Sequence, residues 1–422
     1  MSDRRFDADC TELARRMLDD VRGLSRDGPG VTRPSYSDIE TGTLAYLAQQ
    51  AAAAGLETAY DLAGNLWMTV AGGDPALPRV IAGSHADSVP QGGNFDGLAG
   101  IVAALVCGIR MRREGVVPKR SFTALALRGE ESAWFGKPYL GSAALLGRLT
   151  EQDLALKHRD TGHPLNFYMR EVGADPGRLV RGKPLIDPAS VAAFLELHIE
   201  QGPILEDSGL AVGIVTGIRG NVRHLRVRCV GTTGHSGAVP KSLRQDAVFA
   251  VADFLSQVES AWAQWLQRGH DLVVTTGVIQ TNAATHAPSV IAGEVTFSLE
   301  ARSESQSTLT EFRDAVVARS RAIGEARGVR FEFDAPVFSS PAMLDARIVD
   351  LLAAICAREH VGHMRILSGA GHDAALFANA GIPAAMIFVR NQHGSHNPEE
   401  DMRIDDLMAG ATVLYEAIFA VP

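Results

Sequence analysis

The 422-residue chain is poor in cysteine, aromatic residues and long apolar runs, and it carries no excess of positive charge. Its four cysteines (Cys10, Cys107, Cys229 and Cys356) are scattered without CxxC spacing, which favours buried thiols over a disulfide framework or a zinc knuckle. A net charge of −9 argues against a nucleic-acid or anionic-membrane partner. No apolar stretch reaches the roughly 18 residues of a membrane span, and no signal-peptide core follows the first residues. We therefore expect a cytoplasmic protein.

The remaining composition is that of a globular protein, and the chain is long enough for two domains. Short buried strands alternate with helices, which predicts an α/β fold with a mixed, largely parallel sheet flanked by helices. Between 213 and 332 the pattern changes to β-α-β-β-α, which predicts an inserted α+β domain. The larger domain would then comprise 1–212 and 333–422. Its predicted strands include 79–83, 122–127, 193–199 and 384–389.

Two adjacent carboxylates, Glu130 and Glu131, directly follow the predicted strand 122–127. Neighbouring side chains of an extended or turning backbone point in different directions, so this pair suits two tasks: one carboxylate can bind a metal while the other handles a proton. In open α/β sheets, ligands gather beyond the carboxyl ends of the strands. We therefore expect the glutamates to meet other polar side chains that follow strands or lie in tight loops. These are His85, Asp96, His198 and His396.

The chemistry of this set points to metal ions. Imidazole nitrogen and carboxylate oxygen suit zinc and similar divalent ions, and one carboxylate can bridge two ions about 3.5–4 Å apart. Asp96, in a tight Asn-Phe-Asp-Gly loop, is the natural bridge. Each residue alone also fits a structural role: His85 as a hydrogen-bonded histidine, Asp96 as a helix N-cap, and the two glutamates as a solvated pair. Together, their placement at strand ends favours a two-metal site.

Three long motifs carry a resemblance to a known family: ELHIEQG at 196–202, SGAGHDA at 368–374 and SHNP at 395–398. The chain resembles the dinuclear zinc amidohydrolases that include N-carbamoyl-L-amino-acid hydrolases, β-ureidopropionases and allantoate amidohydrolases. This group is a branch of the aminoacylase and carboxypeptidase clan. The similarity extends from about residue 10 to 420, with the motifs in the family's order. It implies that the larger domain is catalytic and that the insert is a lid, through which two copies usually pair as a homodimer.

The resemblance also implies roles for individual residues. His85, Asp96 and His198 would hold one divalent metal ion, and Asp96, Glu131 and His396 a second. Zinc is the expected metal, although manganese, cobalt or nickel would suit the same ligands. Glu130 would be the general base, and His235 would stabilise the oxyanion. Implied substrate contacts are Gln201, His235, His286, Ser289, Arg302, Gly369, Ala370 and His372. The implied reaction converts an N-carbamoyl-L-amino acid and water into the L-amino acid, carbon dioxide and ammonia.

The chain departs from the family around the substrate. His286 and Ser289 stand where relatives have asparagines, two hydroxyls are missing after His235, and Trp134 introduces a bulky indole. An aminoacylase or dipeptidase with the same metals therefore remains an alternative, as does an allantoate amidohydrolase. Allantoate is the less favoured substrate because it is the most polar candidate. A non-catalytic amide-binding protein is disfavoured by the retention of Glu130 and all five ligands, and a serine hydrolase by the lack of Gly-x-Ser-x-Gly spacing.

Overall fold

The computed structural model describes residues 6–421 and divides them into two compact units, one formed by 6–216 with 343–421 and the other by 217–342. The helices are α1 (Ala8–Ser25), α2 (Asp38–Ala53), α3 (Leu98–Glu114), α4 (Leu140–Leu145), α5 (Glu151–Leu154), α6 (Leu165–Glu171), α7 (Pro176–Leu179), α8 (Ile204–Ser208), α9 (Ala247–Gln267), α10 (Gln306–Arg327), α11 (Ala346–Arg358), α12 (Asp373–Ala378) and α13 (Ile404–Ala420). The strands are β1 (Arg26–Asp27), β2 (Gly30–Val31), β3 (Glu57–Tyr60), β4 (Leu66–Val70), β5 (Arg79–His85), β6 (Phe122–Leu127), β7 (Val191–Ile199), β8 (Val212–Ile218), β9 (Gly220–Val230), β10 (Gly234–His235), β11 (Val273–Thr275), β12 (Ile279–Thr281), β13 (Val290–Ile291), β14 (Glu294–Ser303), β15 (Arg330–Phe333), β16 (Val337–Ser339), β17 (Ala342–Met343), β18 (His363–Ser368) and β19 (Ala384–Val389).

The larger unit is built on a mixed sheet in which the strands follow the order β8-β19-β7-β5-β6-β4-β3, with β18 also beside β8. Strands β19, β7, β5 and β6 run parallel to their neighbours within this group, whereas β8, β4 and β3 pair in the antiparallel sense. The central strands are buried along nearly their whole length, which explains their continuous apolar sequences. The predicted α/β fold is confirmed.

Helix α3 begins at the metal-binding loop predicted from the sequence. Its N-cap is Gly97, with φ at 68°, and Asp96 precedes it without capping the helix. A Cβ atom at position 97 would lie 2.5 Å from atoms of His85, so both the backbone conformation and the space require glycine. The glycine thus allows Asp96 to lie directly beside the end of β5. The helix N-terminus favours negative charge at this point.

Helices α4 to α7 lie between β6 and β7 and pack around an apolar cluster that includes Trp134 and Phe135. The Trp134 side chain is 3% exposed, donates a hydrogen bond to the carbonyl oxygen of Ser88 at 2.8 Å and stacks on His158. The indole that distinguishes this chain from its relatives is therefore a core residue. Its effect on substrate choice, suggested by the sequence, finds no support in this burial.

The smaller unit is an antiparallel sheet in the order β11-β14-β9-β15, with β12 also on β14 and β16 also on β9. Helices α9 and α10 share an apolar core with the sheet, in which Phe254, Phe297 and Phe312 are buried. The unit ends at 342 rather than at the predicted 332 because β15 and β16 pair with β9. Between α9 and β14, the edge of this sheet is formed by the two short strands β11 and β12.

The helices and the cysteines of the described residues can be compared with what the composition predicts. None of the helices in the part of the chain that the structure describes combines the length and hydropathy that a membrane crossing needs. All four cysteines are free thiols, and each is buried. They are therefore packing residues, as their scattered spacing indicated.

Candidate metal centre

The polar side chains predicted to meet do so at one edge of the larger unit's sheet. Strand β5 ends at His85, which is in register with Leu127, the last residue of β6. His198 is the penultimate residue of β7, and Glu130 and Glu131 follow β6. Because β5, β6 and β7 are parallel neighbours, their carboxyl ends lie side by side.

Two groups of side chains could each hold a metal ion, and they share one carboxylate. The first is His85, Asp96 and His198; the second is Asp96, Glu131 and His396, and the ligand atoms within each lie within 4.8 Å of one another. Asp96 Oδ1 is 3.2 Å from His85 Nε2 and 3.1 Å from His198 Nε2, while Asp96 Oδ2 is 3.4 Å from His396 Nε2. Each oxygen of Asp96 thus faces a different group, which is the geometry of a bridging ligand.

Main-chain carbonyl groups orient the two buried histidines of the first group. The carbonyl oxygen of Asp87 lies 3.2 Å from His85 Nδ1, and that of Ile199 lies 2.8 Å from His198 Nδ1. A carbonyl oxygen only accepts, so each Nδ1 carries the proton and donates it. Both Nε2 atoms lie beside Asp96 Oδ1, and His198 Nε2 also accepts the main-chain N–H of Gly97 at 3.2 Å. This second layer of hydrogen bonds is typical of metal-binding histidines.

The glutamate pair is held by a carboxylate that the sequence reasoning missed. Asp87 accepts the main-chain N–H of Glu130 at 3.0 Å through Oδ1 and that of Glu131 at 3.1 Å through Oδ2. The two side chains then diverge: Glu131 Oε1 lies 3.4 Å from His396 Nε2, whereas Glu130 Oε2 lies 3.9 Å from His85 Nε2. Asp87 could have been identified from the sequence by its place two residues after His85.

The centre concentrates negative charge away from water. Burial raises the pKa of Glu130 well above its usual range despite the attraction of His85, and it raises the pKa of Glu131 as well. Arg33, fully buried, is the guanidinium that interacts with several members of the set. So many buried carboxyl groups require positive charge, which divalent ions would supply. Buried acids in and around the centre include Asp87, Asp96, Glu130, Glu131, Glu196, Asp373 and Glu400.

The donor set fits divalent metal ions of the zinc type. Three imidazole nitrogens and two carboxylates match the ligands that zinc takes in proteins, and a shared carboxylate matches a pair of ions. The carboxylates of Asp96 and Glu131, which accept hydrogen bonds from His396, raise the pKa of this histidine to about 11.

Gln201 and His372, two of the predicted substrate contacts, lie against the candidate ligands. Gln201 Nε2 donates to Asp96 Oδ2 at 2.7 Å; a carboxylate only accepts, so the amide oxygen Oε1 points elsewhere, and it is buried without a partner among the described residues. The His372 ring centre is 4.6 Å from that of His198, and burial holds the pKa of His372 well below its ordinary value. Gly369 and Ala370 lie in the loop that leads to His372.

The proton positions on His372 follow from its neighbour Ser368. Ser368 Oγ donates its single proton to the carbonyl oxygen of Ala370 at 2.8 Å, so it must accept from His372 Nε2 at 2.9 Å. His372 is therefore neutral with its proton on Nε2, and Nδ1 is an acceptor.

The other predicted substrate residues lie in the smaller unit. His235 in β10 is exposed and its Nδ1 accepts the N–H of Gly237 at 3.1 Å, which leaves the proton on Nε2. Ser289 lies beside it, since its carbonyl oxygen accepts the N–H of the residue that follows His235. His286 Nδ1 is 2.9 Å from the Thr281 hydroxyl, and Arg302 forms an ion pair with Glu300 at 3.0 Å.

Comparison with known proteins agrees with this architecture. The family model described as Peptidase family M20/M25/M40 matches residues 81–420. An N-carbamoyl-L-amino-acid amidohydrolase of Paenarthrobacter aurescens is 34% identical over 412 residues, which cover 97% of this chain and 98% of the relative. Allantoate amidohydrolase of Escherichia coli (strain K12) is 32% identical over 387 residues, 91% of each chain. The crystal structure of a hydantoinase/carbamoylase family amidase from Burkholderia multivorans gives a TM-score of 0.89 at 27% identity, with 99% of this chain and 98% of that chain covered.

The fold and the shared carboxylate define a class of hydrolases that use divalent metal ions. Within this class, the chain belongs to the M20/M25/M40 peptidase family, a group of hydrolases of carbon–nitrogen bonds. The resemblance stated from the motifs is confirmed.

Proposed function

We propose that this protein hydrolyses N-carbamoyl-L-amino acids to the free L-amino acid, carbon dioxide and ammonia, with two divalent metal ions, zinc by default. The main support for the proposal is the position of the Asp96 carboxylate, whose two oxygens face different groups of candidate ligands. The name of the Paenarthrobacter aurescens relative supports the choice of substrate class. When bound, such ions lower the pKa of a water molecule and polarise the carbonyl group under attack.

Glu130 is the proposed proton carrier. It is buried beside the cluster, yet it belongs to neither ligand group, and burial raises the pKa of its carboxyl group. It takes one proton from the attacking water as the oxygen bonds to the carbamoyl carbon. It then gives that proton to the leaving nitrogen as the carbon–nitrogen bond breaks. The carbamic acid that is released decomposes to carbon dioxide and ammonia.

Two acceptor atoms next to the ligand cluster favour a carbamoyl over an acetyl substrate. Gln201 Oε1 and His372 Nδ1 both belong to side chains that contact the ligand cluster, and both accept hydrogen bonds only. The terminal NH₂ of a carbamoyl group donates two hydrogen bonds, whereas the methyl of an acetyl group donates none. A buried acceptor left without a donor costs about 1–3 kcal/mol. A substrate that lacks one of the two N–H donors should therefore have a kcat/KM lower by roughly 10- to 100-fold.

The residues of the smaller unit have further proposed roles. His235, with its proton on Nε2, is in the state required to donate to an oxyanion. Arg302 would bind the substrate carboxylate, for which a guanidinium is suited. His286 and Ser289, together with Gly369 and Ala370, would contact the rest of the substrate. Pairing of two copies through the smaller unit and a cytoplasmic location stay predictions.

An allantoate amidohydrolase is the second candidate, because the Escherichia coli relative of that name is also similar over most of its length. Ser289 at a position where relatives have asparagine offers a shorter side chain with fewer hydrogen-bonding atoms. This is less suited to allantoate, which asks for the most hydrogen bonds. The carbamoyl-amino-acid assignment therefore stands first.

Ammonia release tests the proposal directly. The zinc-loaded protein is assayed on N-carbamoyl-L-amino acids, their D-forms, β-ureidopropionate and allantoate, and free amine is measured on matched N-acetyl-L-amino acids. We expect ammonia from the carbamoyl-L-amino acids and little amine from the acetyl compounds. Amine from acetyl substrates without ammonia from any carbamoyl compound would assign the protein to the aminoacylases. Ammonia from allantoate alone would establish the second candidate.

A further inference from the structure

A polar relay connects the two loops that carry Asp96 and His396. Ser395 Oγ lies 2.6 Å from Asp96 Oδ2 and 2.5 Å from Glu400 Oε2. Glu400 Oε1 in turn accepts the main-chain N–H groups of Phe95 at 2.9 Å and of Asp96 at 3.2 Å. The side chain of Asp96 and its own backbone are therefore both held from the loop that contains His396.

The relay occupies a closely fitted space. Glu400 is 2% exposed, and a Cβ atom at Gly93 would lie 2.1 Å from its carboxyl group. Gly93 has no side chain to displace this carboxylate, and its backbone does not adopt the left-handed conformation. Any side chain at position 93 would force Glu400 to move, so the loop sequence Gly93-Asn94-Phe95-Asp96 and Glu400 are sterically matched.

The hydroxyl acts on one oxygen of the shared carboxylate. Asp96 Oδ1 faces His85 and His198, whereas Asp96 Oδ2 faces His396 and receives the contact from Ser395. We propose that Ser395 and Glu400 are positioning residues that fix Asp96 Oδ2, and that they set the affinity of the metal position formed with Glu131 and His396 independently of the other position. This inference rests on the proposed function, because it requires two metal ions.

Hydrogen bonds that orient a ligand commonly change metal affinity by about 10- to 100-fold. Ser395→Ala removes the hydroxyl, while Glu400 keeps its hydrogen bonds to the backbone of the Asp96 loop. It should therefore weaken one metal equivalent by about that factor and leave the other unchanged. Ser395→Thr retains the hydroxyl and should bind both equivalents. Gly93→Ala, which displaces Glu400 without removing a hydrogen-bonding group, should weaken the same equivalent.

The test is a titration of the full metal-free chain with zinc in competition with a chromophoric chelator. His396→Ala identifies the equivalent that belongs to the second position. Ser320→Ala is the matched control, since Ser320 is a buried serine in α10 whose hydroxyl bonds to its own helix. Thermal unfolding of each metal-free variant separates a loss of affinity from a loss of fold. We expect Ser395→Ala and His396→Ala to lose affinity for the same zinc equivalent. Ser320→Ala should bind zinc like the unsubstituted protein.

Three results would overturn the inference. If Ser395→Ala and Gly93→Ala bind both equivalents normally, the relay does not position Asp96. If they weaken both equivalents equally, it supports the cluster as a whole and does not distinguish the two positions. In either case, unchanged ammonia release by the unsubstituted protein leaves the proposed function intact. If the unsubstituted chain binds one equivalent only, both the two-ion proposal and this inference fail.

Discussion

The ligand cluster of the larger unit and the predicted substrate residues of the smaller unit differ in how firmly their side chains are held. In the cluster, His85, His198 and Asp96 are buried and hydrogen-bonded at defined atoms. In the smaller unit, His235 and Ser289 are exposed, and each accepts a main-chain N–H, that of Gly237 and that of Ser236 respectively. If the proposed roles are correct, the reaction chemistry is built on strand ends, while recognition depends on residues that can change with little cost to packing.

The departures from the family follow the same division. His286 and Ser289, at positions where the resemblance implies asparagines, are both exposed. An exposed substitution away from caps and networks usually changes stability by less than about 0.5 kcal/mol. Replacing a buried ligand would instead leave several carboxyl groups without compensation. Changes at these two positions should therefore alter the stability of this chain far less than changes at the metal centre.

The largest expected effect is that of removing the metal ions. Chelation should abolish ammonia release, because the ions would lower the pKa of the attacking water and polarise the carbonyl group of the substrate. It should also lower the stability of the larger unit, by about 4 kcal/mol for an ion present at a thousand times its Kd. Activity and thermal unfolding after chelation and after the return of zinc provide the measurement.

Hydrogen exchange separates the two regions in that experiment. Chelation should increase exchange in the loops at 92–97 and 391–400 and leave β9 and β14 of the smaller unit unchanged. An equal increase in both units would show that the ions stabilise the whole chain and that the contrast between the regions is wrong.

The second prediction concerns Glu130. Glu130→Gln should retain both metal ions and lower kcat by about 10²- to 10⁴-fold, because the amide cannot carry the proton. Steady-state kinetics and metal analysis measure the two effects. Glu399→Gln is the control, since Glu399 is exposed in the loop that contains His396. Full activity of Glu130→Gln would remove this residue from the proposed mechanism.

The contrast between the regions also explains what the sequence could predict. Continuous apolar runs located β6 and β19 at their observed bounds, and the polar residues at strand ends and in one tight loop are the five candidate ligands that the structure brings together. Strand β18 was missed because its sequence, His363–Ser368, mixes polar and apolar residues. The four helices α4 to α7, which lie between β6 and β7, were missed because they are too short to show a clear helical period of apolar residues.

Within the site, the sequence identified residues whose types match a chemical role but not those that position them. Asp87 and Glu400 both act through the main-chain N–H groups of other residues. Such contacts depend on the path of the backbone, which periodicity and spacing do not encode. Gly93 shows the same limit, since its importance follows from a neighbour 307 positions away in the chain, Glu400.

A smaller loss is expected from a change in the smaller unit. His235→Gln should lower kcat by about 10²- to 10³-fold with metal binding unchanged, because one oxyanion donor is typically worth that factor. His270→Gln is the control, since His270 is in the same unit and contacts Thr308. If His235→Gln raises KM alone, His235 contacts the ground state and the transition state equally.

The smallest expected effect is that of removing Glu300, which forms an ion pair with Arg302 and would compete with the substrate carboxylate. Glu300 pairs with both Arg223 at 2.6 Å and Arg302 at 3.0 Å, so it competes with a substrate carboxylate for the guanidinium of Arg302. Partly exposed ion pairs are worth about 0–1 kcal/mol, so Glu300→Gln should lower KM by no more than about fivefold and leave kcat unchanged.

Glu294→Gln is the matched control for that change, because Glu294 lies on the same strand and pairs with Arg228 of β9 at 2.9 Å. A lower KM in Glu300→Gln alone would mean that recognition in the smaller unit is limited by a local ion pair, in contrast to the fixed ligands of the metal centre. An equal change in both variants would reflect the overall charge of the sheet, since long-range attraction of an anionic substrate would respond to either substitution. The dependence of KM on salt distinguishes these causes, because a long-range effect is screened over about 10 Å at 0.1 M ionic strength.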